Sequence, residues 1–132
     1  MAIYHLESQV ISRGEGRSAV AAAAYRHAAR MEFEREDRVA DFSNKKNVAY
    51  SEFMAPEDAP EWLPSMMEGR SAVEVLEAFW NMVEDFETRP DAQLSKEFVL
   101  ALPKELTKDQ NIELLRDFIG QEMLLRGMVA DW

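Results

Sequence analysis

The run Ser18-Ala19-Val20-Ala21-Ala22-Ala23-Ala24-Tyr25-Arg26 constrains this chain more than any other stretch. Alanine is the strongest helix former, and a helix with so little side-chain volume can lie close against another layer. Ser18 suits the cap of such a helix, because its hydroxyl can accept from orphan N–H groups two or three residues on. Upstream, Ser12-Arg13-Gly14-Glu15-Gly16-Arg17 joins two turn-forming glycines to two arginines, and residues 2–12 read as a strand rich in β-branched and aromatic residues. Strand, basic turn and helix thus deliver one phenol, Tyr25, to the neighbourhood of several cations. A phenol so placed can attack a phosphate that the arginines hold. A tyrosine on a helix can equally pack on the core side, the usual place for an aromatic residue.

The chain has 132 residues, the size of one domain, and it is read as a single unit over 1–132. With 47% hydrophobic and 30% charged residues it is too apolar to be disordered. No cysteine is present, which excludes disulfides and thiolate metal sites. The longest apolar run, residues 19–25, is far too short to cross a bilayer, and no basic stretch followed by an apolar one opens the chain. A soluble, cytoplasmic protein is expected. The net charge of −10 opposes nucleic-acid binding in general. Its distribution softens that: residues 1–30 hold Arg13, Arg17, Arg26 and Arg30 against Glu7 and Glu15, and the acidic excess lies further on. Such a local field can hold a strand, weakly and in a salt-sensitive way.

Further along, the helix begun at Ser18 is expected to run to about Phe33, with 32–46 a polar loop or weak hairpin. Residues 47–54 read as a second strand, and Pro56, Pro60 and Pro64 mark a long surface connection. Ser71-Ala72-Val73-Glu74 opens a helix over 71–88 whose apolar stripe is Val73, Leu76, Trp80, Val83 and Phe86. Residues 96–102 form a strand closed by Pro103. Thr107-Lys108-Asp109-Gln110 then opens a helix over 107–126, with Ile112, Leu115, Ile119 and Met123 inward and Gly127 at its end. Residues 128–132 begin another strand. This order predicts an α+β fold, an antiparallel sheet with helices packed against it.

Three blocks carry a family resemblance. Met1-Ala2-Ile3-Tyr4-His5-Leu6, the segment from Ile11 through Arg26, and Leu100-Ala101-Leu102-Pro103-Lys104-Glu105-Leu106 resemble the MobA/MobL family of plasmid mobilisation relaxases, as does Gly127-Met128-Val129-Ala130-Asp131. The resemblance implies an incomplete HUH-type relaxase core, the N-terminal portion of a nickase domain. It implies an enzyme that cuts one DNA strand at a transfer origin through a phosphotyrosyl intermediate, with the nucleophile at Tyr25. Covalent catalysis conserves the bond energy for rejoining, although a free phenol, with a pKa near ~10, is a weak nucleophile. Single-stranded transfer-origin DNA is the implied partner, and accessory mobilisation proteins are possible ones. The resemblance also implies a divalent metal, Mg²⁺ or Mn²⁺, for the complete family domain, held by histidines beyond the Gly127–Asp131 region, two of them in a His-x-His pair.

The chain offers only His5 and His27, so no metal site is assigned and no tight metal binding is expected of these residues. Glu97, at the opening of its strand, is a second catalytic candidate by resemblance; the family's next acidic position is Val99 here. Arg13, Arg17, Arg26 and Arg30 are the DNA-binding candidates, since guanidinium groups bind phosphates bidentately. Glu97 can instead be an exposed strand-edge charge, and Arg30 can merely solvate its helix. Lys45-Lys46 reads as a solubilising pair. Three outcomes stay open: a relaxase fragment inactive by itself, a non-catalytic remnant that binds single-stranded DNA or another protein, or a purely structural fragment with no function of its own.

Overall fold

The computed structural model describes residues 5–132, so the start of the first expected strand lies outside the described residues. Strand β1 (Leu6–Ser12) pairs antiparallel with β5 (Gln93–Leu100), Leu6 opposite Leu100 and Gln9 opposite Glu97. At its inner end Ile11 and Leu94 are buried, whereas Leu6, Phe98, Val99 and Leu100 are exposed towards the other. A single turn of 3-10 helix, Arg13–Glu15, and the left-handed Gly16 reverse the chain into helix α1 (Ala19–Arg26).

The start of α1 is doubly satisfied. Ser18 accepts from the Ala21 N–H, and the buried Glu84 carboxylate accepts from the Ala19 N–H at 2.8 Å. Glu84 belongs to α3 (Ala72–Phe86), which packs on α1 across Ala19, Val20, Ala23 and Ala24. Close approach is what the alanines permit, with no long side chain to hold the helices apart.

Helix α1 stops at Arg26, well short of Phe33. Ala28 adopts the left-handed conformation (φ 50°), and the Ala29 N–H reaches back to the Ala24 carbonyl at 2.9 Å, a Schellman-type ending. Beyond it the chain forms a hairpin of β2 (Arg30–Phe33) and β3 (Arg38–Asp41). Met31 and Phe33 alternate inward with Arg30 and Glu32 outward, a period of two that overrides the helix expected there. An alanine in left-handed geometry is strained. Ala28→Gly is therefore expected to raise stability by about 0.5–1 kcal/mol in urea denaturation.

The proline-marked connection holds a short helix, α2 (Trp62–Met67), because Pro64 lies in its first turn, where no N–H is needed, and Leu63 is buried. The second expected strand shrinks to β4 (Phe53–Met54), paired with β6 (Ala130–Asp131) and extended by reciprocal backbone bonds between Glu52 and Trp132. Helix α3 turns the expected Leu76, Trp80 and Val83 towards the core and adds Val75 and Phe79, while Val73 is exposed and Phe86 is 83% exposed, so the stripe holds in its middle and fails at both ends. Helix α4 (Lys108–Glu122) starts at the expected Thr107/Gln110 capping box, but only Ile119 is fully buried on it. Gly127, left-handed, ends the adjoining 3-10 turn Leu124–Arg126. Among the described residues the strands form three two-stranded antiparallel sheets rather than one layer. The class is α+β, with α1 and α3 against the β2–β3 hairpin around the core. No described helix is long and apolar enough to cross a membrane.

Candidate nuclease site

Tyr25 occupies the last turn of α1 on the side away from the alanine face. It is 54% exposed, and no described residue hydrogen-bonds its hydroxyl. Phe42 meets its ring edge-on at 5.4 Å between centroids, with an interplanar angle of 90°. The Lys45 ammonium lies 3.7 Å from the ring centroid and donates to the Tyr25 carbonyl at 3.0 Å. The cation against this phenol is a lysine of the loop after β3.

The four arginines divide by what they touch. Arg13 donates to the Glu84 carboxylate at 3.0 Å and to the carbonyls of Glu84, Glu87 and Arg89, which ties the turn before α1 to the end of α3. Arg17 donates to Gln9 at 2.9 Å. Arg30 is exposed on β2, opposite Asp41. Arg26 is mostly buried: its Nε and Nη2 clasp both Asp131 oxygens at 2.6 and 3.0 Å, and Nη1 donates to Glu97 at 2.8 Å. Burial opposes the charge on Arg26, but its hydrogen bonds to Asp131 and Glu97 and their negative charges outweigh it and raise its pKa.

Asp131 is the hub of this cluster. Its side chain is 1% exposed; besides Arg26 it accepts from the Trp80 indole at 2.6 Å, and His27 Nε2 lies 3.1 Å away. Desolvation pushes its carboxyl upward, yet the hydrogen bonds from His27 and Arg26 hold it down at about 2. Glu97 is placed by strand register, since Gln9 stands opposite and donates to it at 2.8 Å. A chain of polar contacts therefore runs Arg17, Gln9, Glu97, Arg26, Asp131 and ends on His27 and Trp80. Glu97 joins the site through Arg26 rather than through the Tyr25 hydroxyl.

The MobA/MobL sequence profile matches residues 17–132. This chain belongs to the MobA/MobL family. That is a relaxase family of conjugation and mobilisation proteins, generally metal-dependent. The chain is 54% identical to the probable conjugal transfer protein TraA of Sinorhizobium fredii and 52% identical to conjugal transfer protein TraA of Rhizobium radiobacter, in each case over the whole chain and 12% of the relative. It is 41% identical to mobilization protein MobL of Acidithiobacillus ferridurans over 99% of the chain and 31% of that protein. The chain thus spans about an eighth of the TraA relatives. A chain of the solved structure "Molecular Basis of Vancomycin Resistance Transfer in Staphylococcus aureus" superposes with a TM-score of 0.83 at 32% identity, covering 98% of this chain and 61% of that one.

The metal the family implies does not fit the described residues by themselves. Among them no group of three or more His, Cys, Asp or Glu side chains converges. His27 is buried against Asp131, and His5 sits apart on the β1 side near Glu7. Sequence reasoning missed two residues here. Asp131 lies 105 positions from Arg26, and no local pattern announces that pairing. Lys45, read as a solubilising charge, lies 20 positions from the carbonyl it bonds.

Proposed function

We propose that this chain carries the nucleophile of a tyrosine relaxase, which cuts one DNA strand at a transfer origin and keeps the cut end covalently bound. One observation carries the reading: on a helix whose alanine face is core, Tyr25 turns its ring outward and leaves its hydroxyl without a partner among the described residues. A structural tyrosine buries its ring and bonds its hydroxyl. In the proposed step Tyr25 Oη attacks the scissile phosphorus. The Oη–P bond forms as the P–O3′ bond breaks; the phenol gives its proton to solvent and the departing 3′ oxygen takes one up as a hydroxyl. The product is a 5′-phosphotyrosyl link and a free 3′-hydroxyl, and the reverse attack rejoins the strand.

In this reading Arg17 and Arg30 meet the phosphates of the strand, whereas Arg13 and Arg26 hold the scaffold through Glu84, Asp131 and Glu97. The described residues do not by themselves form the site of the metal that would polarise the phosphate. The 132 residues alone are proposed to bind a strand without cutting it. Two phosphate contacts on single-stranded DNA give a slope of log K against log salt of about −1.4. Fluorescence anisotropy over a salt series measures it, and a slope near zero would remove the strand-binding surface.

Covalent capture tests the function. Labelled single-stranded transfer-origin DNA is incubated with Mg²⁺ or Mn²⁺ and either this chain or a chimera in which the chain replaces the matching residues of Rhizobium radiobacter TraA. The chimera is expected to form a detergent-resistant adduct that maps to Tyr25, and the chain alone is expected only to bind. DNA binding by the chimera with no adduct would favour the non-catalytic strand-binding module.

A further inference from the structure

We propose that Lys45 is a positioning residue for Tyr25, holding the phenol ring in the orientation from which its hydroxyl attacks. The proposal rests on the relaxase reading and goes beyond it, since it assigns the job of orienting the nucleophile to a residue outside the alanine-rich segment. Two contacts from one ammonium carry it. The Nζ–H to Tyr25 carbonyl bond anchors Lys45 at the C-terminal end of α1, where carbonyls lack helical partners and the helix dipole favours a cation. The same ammonium then lies 3.7 Å from the ring centroid, a cation–π contact on the ring face.

Phe42 supplies a second restraint through its edge-to-face contact with the same ring. The backbone fixes both residues together: the Phe42 N–H donates to the Ala29 carbonyl at 3.0 Å, and the Lys45 N–H donates to the Phe42 carbonyl at 3.0 Å. The loop after β3 is thereby pinned to the residues that end α1, and it presents Phe42 and Lys45 to the phenol. The hydroxyl stays free. Among the described residues no carboxylate forms a salt bridge with Lys45, while Arg13 and Arg26 are both bonded to carboxylates. A ring held on two sides samples fewer wrong orientations, and orientation of a nucleophile is a large part of covalent catalysis.

The experiment compares wild type, Lys45→Met, Lys45→Arg and Tyr25→Phe in the chimera, with single-turnover adduct formation followed over a range of DNA concentrations. Lys45→Met is expected to lower the saturating rate about tenfold, the scale of one cation–π contact, with the half-saturating DNA concentration unchanged. Lys45→Arg is expected to recover the rate to within about threefold, because a guanidinium can make both contacts. An unchanged rate in Lys45→Met would overturn the proposal. So would a loss confined to the half-saturating concentration, which would make Lys45 a strand-binding cation only. A readout independent of chemistry separates this from failure of the relaxase reading. In the 132-residue chain, NMR couplings across the Tyr25 Cα–Cβ bond should report one rotamer in wild type and averaging in Lys45→Met. Equal couplings in the two would overturn the positioning role, whereas a wild-type chimera that makes no Tyr25 adduct would overturn the relaxase reading alone.

Discussion

Tyr25→Phe in the chimera is expected to abolish covalent capture of single-stranded DNA, by at least about a thousandfold, because the substitution removes the proposed attacking oxygen and little else. The ring and its contacts with Phe42 and Lys45 survive in phenylalanine, so those interactions are retained. The hydroxyl is unbonded among the described residues, so stability should change by less than about 0.5 kcal/mol. DNA affinity should stay within about twofold, since phosphates are held by cations and not by this oxygen. The measurement is the pair of assays run together, adduct by denaturing gel and affinity by anisotropy. An adduct persisting in Tyr25→Phe would mean that another nucleophile does the work.

Asp131→Ala is expected to destabilise the fold by about 3–5 kcal/mol, since it removes one partner of a buried ion pair and leaves the Arg26 guanidinium and the Trp80 indole short of an acceptor. Against the 5–15 kcal/mol that holds a typical domain, that is a large fraction. The same carboxylate sets an acid limit. Its folded pKa, about 2, lies below the ordinary 3.8, so its contribution is present in full above pH 4 and fades as pH falls towards 2. A depression of that size corresponds to about 2 kcal/mol. Urea titrations at pH 7, 4.5 and 2.5 on wild type and Asp131→Asn check both points. The asparagine variant should start less stable and lose about 2 kcal/mol less on acidification; equal acid losses would show that Asp131 is not the group responsible.

These two experiments probe different ends of one arrangement. Tyr25 and Arg26 are neighbours in sequence but face opposite environments. Arg26 turns into the cluster with Asp131 and Glu97, and Tyr25 turns out against Phe42 and Lys45. The buried ion cluster fixes the C-terminal turn of α1 against β6, and that turn carries the phenol.

Local patterns determined much of this molecule without any structure. The alanine run and Ser18 specify a capped, close-packing helix, the Thr107/Gln110 box specifies the start of α4, and the strand leading to Pro103 is visible as an apolar run. Tyr25 could be singled out by its place in that run together with the family resemblance. Each of these signals lies within a few residues, where propensity and periodicity act. The tertiary structure alone decided where α1 stops, because Met31 and Phe33 gain more by facing the core as a strand than by continuing a helix. It also divided the arginines: Arg13 meets Glu84 and Arg26 meets Asp131 across 71 and 105 positions, distances over which sequence spacing carries no information. Whether a cation binds phosphate or braces the fold depends on which carboxylate the chain brings to it, and only packing brings it there.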